Sequence, residues 1–131
     1  VLRKSYSVDD DKIKLLSIRE DVFVVIDYAI PCGLILNELI SNAIKYAFPK
    51  KRKGEIMIEL KRSSDKEITL LVADNGVGLP DSFNFRRDGK MGMEIIILLA
   101  ESQLMGKIDF SFENGTLCKI KFRDNLYNAR V

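Results

Sequence analysis

Histidine is absent from all 131 residues. That excludes histidine-centred acid–base catalysis, a Ser-His-Asp triad and every common zinc site that needs imidazole. No Gly-x-x-x-x-Gly-Lys-Ser/Thr segment occurs, so a bound phosphate would not be held by a P-loop. No apolar run is long enough to span a bilayer. Only two cysteines are present, Cys32 and Cys118; they lack metal-ligand spacing and each sits inside an apolar pattern. Both are expected to be buried free thiols in a reducing cytosol. The net charge of +2 is too small to argue for nucleic acid or a membrane surface, and contact with neither is expected. Internal repeats and low-complexity segments are lacking as well. The chain starts at Val1 without a signal-peptide pattern, so it reads as a piece of a longer protein. Its length predicts a single domain over residues 1–131, with 1–11 a loosely ordered lead-in.

What is present centres on two segments. The first runs from Asn37 to Ala47, and on a helix it places Glu38, Asn42 and Lys45 at i, i+4 and i+7, one polar stripe. Leu36, Leu39, Ile40, Ala43, Ile44 and Ala47 take the remaining surface, as suits a helix packed on a sheet. The stripe could be a solvated face. The apolar breadth of the helix argues otherwise, because burying such a stripe is costly unless something fills its hydrogen bonds. Tyr46 is equally well read as a core tyrosine or as a flat surface for a ring. The second segment, Asp74-Asn75-Gly76-Val77-Gly78, sets an acid at a strand end beside two glycines that let backbone approach a ligand. A plain hairpin turn is the competing reading, weakened because Leu79-Pro80 begins no alternating strand. Together the segments ask for a ligand with an amino group at one end and phosphates plus a metal at the other.

Hydropathy patterning predicts strands over Ile13–Ile18 and Val22–Ile26, then a helix opening at Ile30 or Pro31 and ending near Phe48-Pro49. A basic turn follows at Lys50–Lys53. Ile56, Ile58 and Leu60, then Ile68, Leu70 and Val72, alternate and predict an antiparallel pair over Glu55–Lys61 and Glu67–Ala73. Gly76 to Gly92 reads as loop, and Met93 to Leu104 as a second apolar helix ended by Met105-Gly106. A hairpin over Lys107–Glu113 and Thr116–Phe122 turns at Asn114-Gly115. The fold class is therefore α+β, a two-layer α/β sandwich. Its sheet is mixed but mostly antiparallel, with helices packed on one face.

Glu38 through Tyr46 resembles the N box of histidine kinase catalytic domains, within the GHKL group of gyrases, heat-shock chaperones, kinases and mismatch-repair ATPases. Asp74-Asn75-Gly76-Val77-Gly78 resembles the G1 box, Gly89-Lys90-Met91-Gly92-Met93 a reduced G2 box, and Gly115-Thr116 the closing Gly-Thr. The four occur in the family's order over about Ile30 to Phe122, most of the chain. The resemblance implies ATP and Mg²⁺ as ligands. It implies that Asn42 gives a side-chain oxygen to Mg²⁺, a hard cation that keeps several waters. Lys45 would neutralise phosphate charge, and Tyr46 would lie against adenine. Asp74 would accept a hydrogen bond from the exocyclic amine of adenine, with Gly76 and Gly78 giving the backbone room. Gly92 and Met93 would open a helix whose first N–H groups receive phosphate oxygens. The hydroxyl of Thr116 would steady a water between Asp74 and the base. Glu38 would polarise or deprotonate the attacking group. Leu79 to Met91 would form a lid, with Phe83 and Phe85 as its packing residues; Lys90 is a candidate phosphate contact.

The function so implied is the Mg-ATP-binding catalytic domain of a two-component sensor histidine kinase. The γ-phosphate would pass to a histidine on a separate dimerisation domain, upstream in the parent chain or in a dimer partner, and thence to a response regulator. A cytoplasmic location follows for this domain, whether or not its parent is membrane-anchored. The alternatives are a serine kinase of the anti-sigma type and an ATP-responsive binding module without phosphotransfer.

Overall fold

The structure, a computed structural model, describes residues 2–8, 13–19, 24–49, 53–64, 66–80 and 82–124. Strands β1 (Leu2–Val8) and β2 (Ile13–Arg19) lead into helix α1 (Ile26–Asn42), which continues through a wider π-type turn over Ala43–Ala47. Strands β3 (Gly54–Ser64) and β4 (Glu67–Asp74) follow, then a short helix α2 (Phe85–Asp88) and helix α3 (Met91–Leu98), itself extended over Leu99–Gln103. Strands β5 (Lys107–Ser111) and β6 (Leu117–Arg123) complete the fold. The six strands form one sheet in the order β1-β2-β3-β4-β6-β5. Only β2 and β3 pair in parallel, since α1 lies between them as a crossover; the other neighbours are antiparallel. A mixed, mostly antiparallel sheet with helices is the expected fold class.

Period-two patterning sets one face of the sheet. Ile58 faces Val72 and Leu60 faces Leu70 across β3–β4. Leu70 then meets Ile120, and Ile68 meets Phe122. Ile56, Ile68, Leu70, Ile120 and Phe122 are buried, so this is the inner face. Helix α1 lays Cys32, Ile35 and Leu39 on it, and α3 with its extension adds Ile96 and Ala100. Tyr28 joins the same stripe and meets the Phe122 ring at 5.6 Å between centroids. On the opposite side of α1, Ile26, Ile30 and Leu34 remain 51–68% exposed, and on α3 Leu98 is 59% exposed.

Three sequence expectations change. Residues 2–8, expected to be lead-in, form strand β1 paired with β2 along its whole length. The strand expected at Val22–Ile26 is not formed in its described part: Val24 and Val25 are non-strand and Ile26 already opens α1, while 22–23 lie outside the described residues. The Val25 carbonyl accepts from the N–H groups of Tyr28 and Ala29, which starts the helix there. Pro31 consequently sits inside α1 and not in its first turn. The Tyr28–Cys32–Ile35–Leu39 stripe explains this, because its burial outweighs the strand preference of a β-branched run. The basic turn at Lys50–Lys53 lies outside the described residues except for Lys53. By contrast α1 ends at Phe48, and the second helix ends at Met105-Gly106, where Met105 takes a positive φ and the Gly106 N–H returns to the Ala100 carbonyl at 2.8 Å.

Both cysteines are free and buried. Burial pushes the Cys32 thiol up to about 11, and burial followed by the Asp109 charge pushes Cys118 up to about 12. The raised values mean a smaller thiolate fraction at any neutral pH, and only the thiolate is nucleophilic. At pH 8 the folded chain should therefore react with a disulfide reagent far more slowly than the chain in denaturant, where both thiols become available. Comparable rates in the two conditions would show that these side chains are open to solvent.

Candidate functional site

At one end of the sheet, α1, the loop after β4, the start of α3 and the β5–β6 hairpin enclose a cavity of about 530 Å³. Glu38, Asn42, Lys45 and Tyr46 line it from α1 and its terminal turn, Asp74 and Gly78 from the β4 end, Gly92 and Met93 from α3, and Thr116 from the hairpin. Of the residues picked from sequence only Gly76 stands outside the lining. It acts behind it: a Cβ there would lie 2.4 Å from the Ala47 carbonyl oxygen, and the next residue, Val77, donates to that carbonyl at 2.9 Å. Gly76 thus lets the loop after β4 close on the end of α1.

Asp74 is half-buried and its carboxylate is built into the backbone around it. Oδ1 accepts from the Gly76 N–H at 2.8 Å and the Thr116 N–H at 3.2 Å. The Asp74 N–H donates to the Thr116 carbonyl at 2.8 Å. The carboxylate is therefore held in one orientation with Oδ2 left to a ligand. Thr116 reaches Asp74 through its main-chain N–H and carbonyl, a contact separate from the water-steadying role expected of its hydroxyl. Asn75 closes the neighbouring corner, its Oδ1 accepting from the Glu55 N–H at 2.7 Å.

The helical stripe behaves differently. Among the described residues no side-chain hydrogen bond or ion pair engages Glu38, Asn42 or Lys45. The first turn of α3 presses on them: a Cβ at Gly92 would lie 2.9 Å from Glu38 Oε2 and 3.5 Å from Asn42 Nδ2. A side chain there would require the flexible tip of Glu38 to shift. Lys45 and Tyr46 are exposed, Tyr46 by 63%, which removes the core-tyrosine reading and leaves its ring face open. The π-type turn that carries both is a kind of irregularity frequent at functional sites. Met91, Gly92 and Met93 present first-turn N–H groups at the α3 N-terminus, beside Lys90.

Leu79 and Asp88 line the cavity from the expected lid segment, whereas sequence reasoning missed Phe110 and Phe112. The alternation of Ile108, Phe110 and Phe112 was the available signal, but nothing local says that a hairpin edge will meet a loop some thirty residues earlier. Phe83 and Phe85 do pack the lid, as expected: Phe83 sits edge-on to Phe112 at 5.3 Å and Phe85 tilts against Phe110 at 4.8 Å. Within the lid, Asn84 caps α2 by accepting from the Arg86 and Arg87 N–H groups, and Asp88 accepts from the Asn84 N–H at 2.9 Å. The Arg87 guanidinium, then the Asn84 N–H, hold the Asp88 carboxyl down at about 2. Arg86 forks onto Glu101, with Nη1 to Oε1 at 3.0 Å and Nη2 to Oε2, raising the guanidinium and lowering the carboxyl.

A half-buried, oriented carboxylate sharing one cavity with an amide, a lysine and a helix N-terminus matches a nucleotide in chemistry. The residues between 28 and 125 match the model of the histidine kinase-, DNA gyrase B- and HSP90-like ATPases, and the chain belongs to that family. Within it the chain is of the histidine kinase type, an ATP-binding catalytic domain. It is 31% identical over 93 residues to the sensor histidine kinase PdtaS of Mycobacterium tuberculosis, a match that covers 69% of this chain and 18% of PdtaS. The chain thus spans under a fifth of the length of that relative. The solved histidine kinase domain of the blue-light-activated kinase of Erythrobacter litoralis has the same fold, with a TM-score of 0.77 at 24% identity over 86% of this chain and 52% of that one. The catalytic domain of histidine kinase ThkA aligns with a TM-score of 0.70 at 21% identity, covering 86% of this chain and 79% of the other.

Proposed function

We propose that this chain binds Mg²⁺·ATP in the cavity described above and presents the γ-phosphate to a histidine carried by a separate dimerisation domain, the first step of a relay to a response regulator. The observation that carries the reading is the fixed Asp74 carboxylate lining the same cavity as unpartnered Asn42 and Lys45. Oδ2 of Asp74 accepts from the adenine amine, which selects A over G, since guanine would oppose an acceptor to a carboxylate. Gly78 leaves room beside the base, Gly76 shapes the loop, and Tyr46 covers one ring face. Lys45 and the α3 N-terminus at Gly92 and Met93 take phosphate charge.

Three or more His, Cys, Asp or Glu side chains never converge among the described residues, so a self-sufficient protein cage for a metal is not what this site offers. An amide oxygen on Asn42 beside phosphate oxygens and water does suit Mg²⁺, which needs few protein ligands. Bound there, the ion would supply charge neutralisation at the transferring phosphoryl group. Catalysis by the chain is positioning and electrostatics, as phosphoryl transfer generally requires. An imidazole nitrogen attacks the γ-phosphorus, the bond to the ADP oxygen breaks, and Glu38 takes the imidazole proton.

The acceptor has to come from elsewhere, because none of the 131 residues is a histidine. The exposed apolar residues Ile26, Ile30 and Leu34 on α1 and Leu98 on α3 support a helix of the histidine-bearing domain as their occupant. No helix among the described residues is long and apolar enough to cross a membrane. An ATP ligand supports a cytoplasmic location for this domain.

Truncating Asp74 to Ala should weaken ADP binding about ten- to a hundredfold, the value of roughly 1.5–3 kcal/mol for a hydrogen bond to a charged group. Calorimetry checks this, and unchanged affinity would remove the adenine assignment.

ATP affinity should rise with Mg²⁺ in the parent and much less in Asn42→Ala. An identical magnesium response in both proteins would leave Asn42 a helix-surface amide.

Incubated with γ-labelled ATP, the chain alone should take up no label, whereas a protein that includes the histidine-bearing domain should acquire acid-labile label. Acid-stable label on the chain alone would point to Ser, Thr or Tyr and favour the serine-kinase alternative.

A further inference from the structure

The β5–β6 hairpin carries two phenylalanines that neither the nucleotide boxes nor the reading above uses. Phe110 and Phe112 lie in nearly parallel planes, 11° apart with centroids at 5.8 Å. The lid supplies the other two rings, Phe83 edge-on to Phe112 and Phe85 against Phe110. These four rings form a wall. Phe83, Phe110 and Phe112 line the 530 Å³ cavity on one side and a second, open cavity of about 350 Å³ on the other.

Phe112 is the residue where three parts of the site meet. Its carbonyl oxygen lies against Gly78, where a Cβ would come within 2.5 Å. Four residues on, the Thr116 N–H holds the Asp74 carboxylate. Its ring carries Phe83, the lid residue nearest the loop after β4. The remaining tie of the lid is the Arg86–Glu101 fork, with Arg86 also over the Phe85 ring at 5.2 Å. That pair is half-exposed, and an exposed ion pair contributes little by itself. The seating of the lid therefore rests on ring contact, and an empty cavity leaves one face of that contact wet.

We propose that Phe112 is a nucleotide-positioning residue that couples occupancy of the cavity to the seating of the lid. The inference rests on the nucleotide reading above and adds a residue and a mechanism to it. A flat base held by Asp74 lies within reach of the Phe112 ring, displaces water from it and strengthens its edge-to-face contact with Phe83. The preference for a seated lid is then the difference in ligand affinity between seated and released states. The second cavity gives Phe83 space to leave the wall without opening the core.

The test uses this 131-residue chain, with ADP and Mg²⁺ as probe, and reads affinity together with hydrogen exchange of lid amides over residues 82–91. In the parent, ADP should slow that exchange. Phe112→Leu should lose about tenfold in ADP affinity and the ADP-dependent protection, at an unfolding midpoint close to the parent's. Phe112→Tyr, which keeps the ring, should restore both. Arg86→Gln, which removes the exposed ion pair and no ring of the wall, should keep parent-like ADP affinity and ADP-dependent protection. Parent-like affinity and protection in Phe112→Leu would overturn the proposal, as would failure of Phe112→Tyr to restore them. Binding of ADP to the parent without any lid protection would overturn the coupling alone. A parent that binds no ADP would overturn the nucleotide reading beneath it.

Discussion

The Asp74 carboxylate takes N–H groups from two places far apart in sequence, Gly76 two residues on and Thr116 forty-two residues on, and the cavity exists because of that. Through Thr116 the hairpin is tied to the end of β4; through Gly76 and Val77 the following loop is tied to the end of α1. A carboxylate oxygen that accepts two backbone N–H groups is held in one orientation. Replacing either contact with water would let the loop leave α1 and open the base end of the site. The same group that would read adenine is thus the peg that holds three elements together, which is why site and fold are hard to separate here.

The other end of the cavity is organised on the opposite principle. Glu38 and Asn42 are held close to Gly92, and neither they nor Lys45 have partners among the described residues, while the lid arginines are already neutralised, Arg86 by Glu101 and Arg87 by Asp88. In the proposed reading, positive charge for phosphates would accordingly come from Lys45, Lys90 and the first turn of α3, not from the arginines. The lid contributes shape. Its anchor is aromatic, and exposed ion pairs only trim its position.

Much of the sheet was legible because β3, β4 and β6 carry Ile, Leu, Val, Phe or Cys at alternate positions on the inner face, and a one-residue slip would expose Ile68, Leu70 and Ile120 together. The second helix and the hairpin turn at Asn114-Gly115, both with positive φ, were legible for similar local reasons. The early strands were not. Leu2 to Val8 is polar by composition, and an edge strand of that kind is selected by its pairing with β2 more than by its own residues. The run at Val22–Ile26 has every local mark of a strand, yet α1 begins within it because burying Tyr28 beside Phe122 and Cys32 in the core extends the helix by a turn.

Sequence alone determined the chemistry on offer: no imidazole, no P-loop, a polar stripe at i, i+4 and i+7, and an acid before two glycines. These are properties of residue type and short-range spacing, which a helix or a turn converts directly into geometry. Only the tertiary structure decided which side chains share a cavity. It left Tyr46 outside the core, put Gly76 behind the site, and brought Phe110 and Phe112 to the lid. Those outcomes depend on β6 pairing between β4 and β5 and on α3 reaching Glu38. Contacts of that sequence separation are set by packing of the whole domain, where no short motif carries a signal.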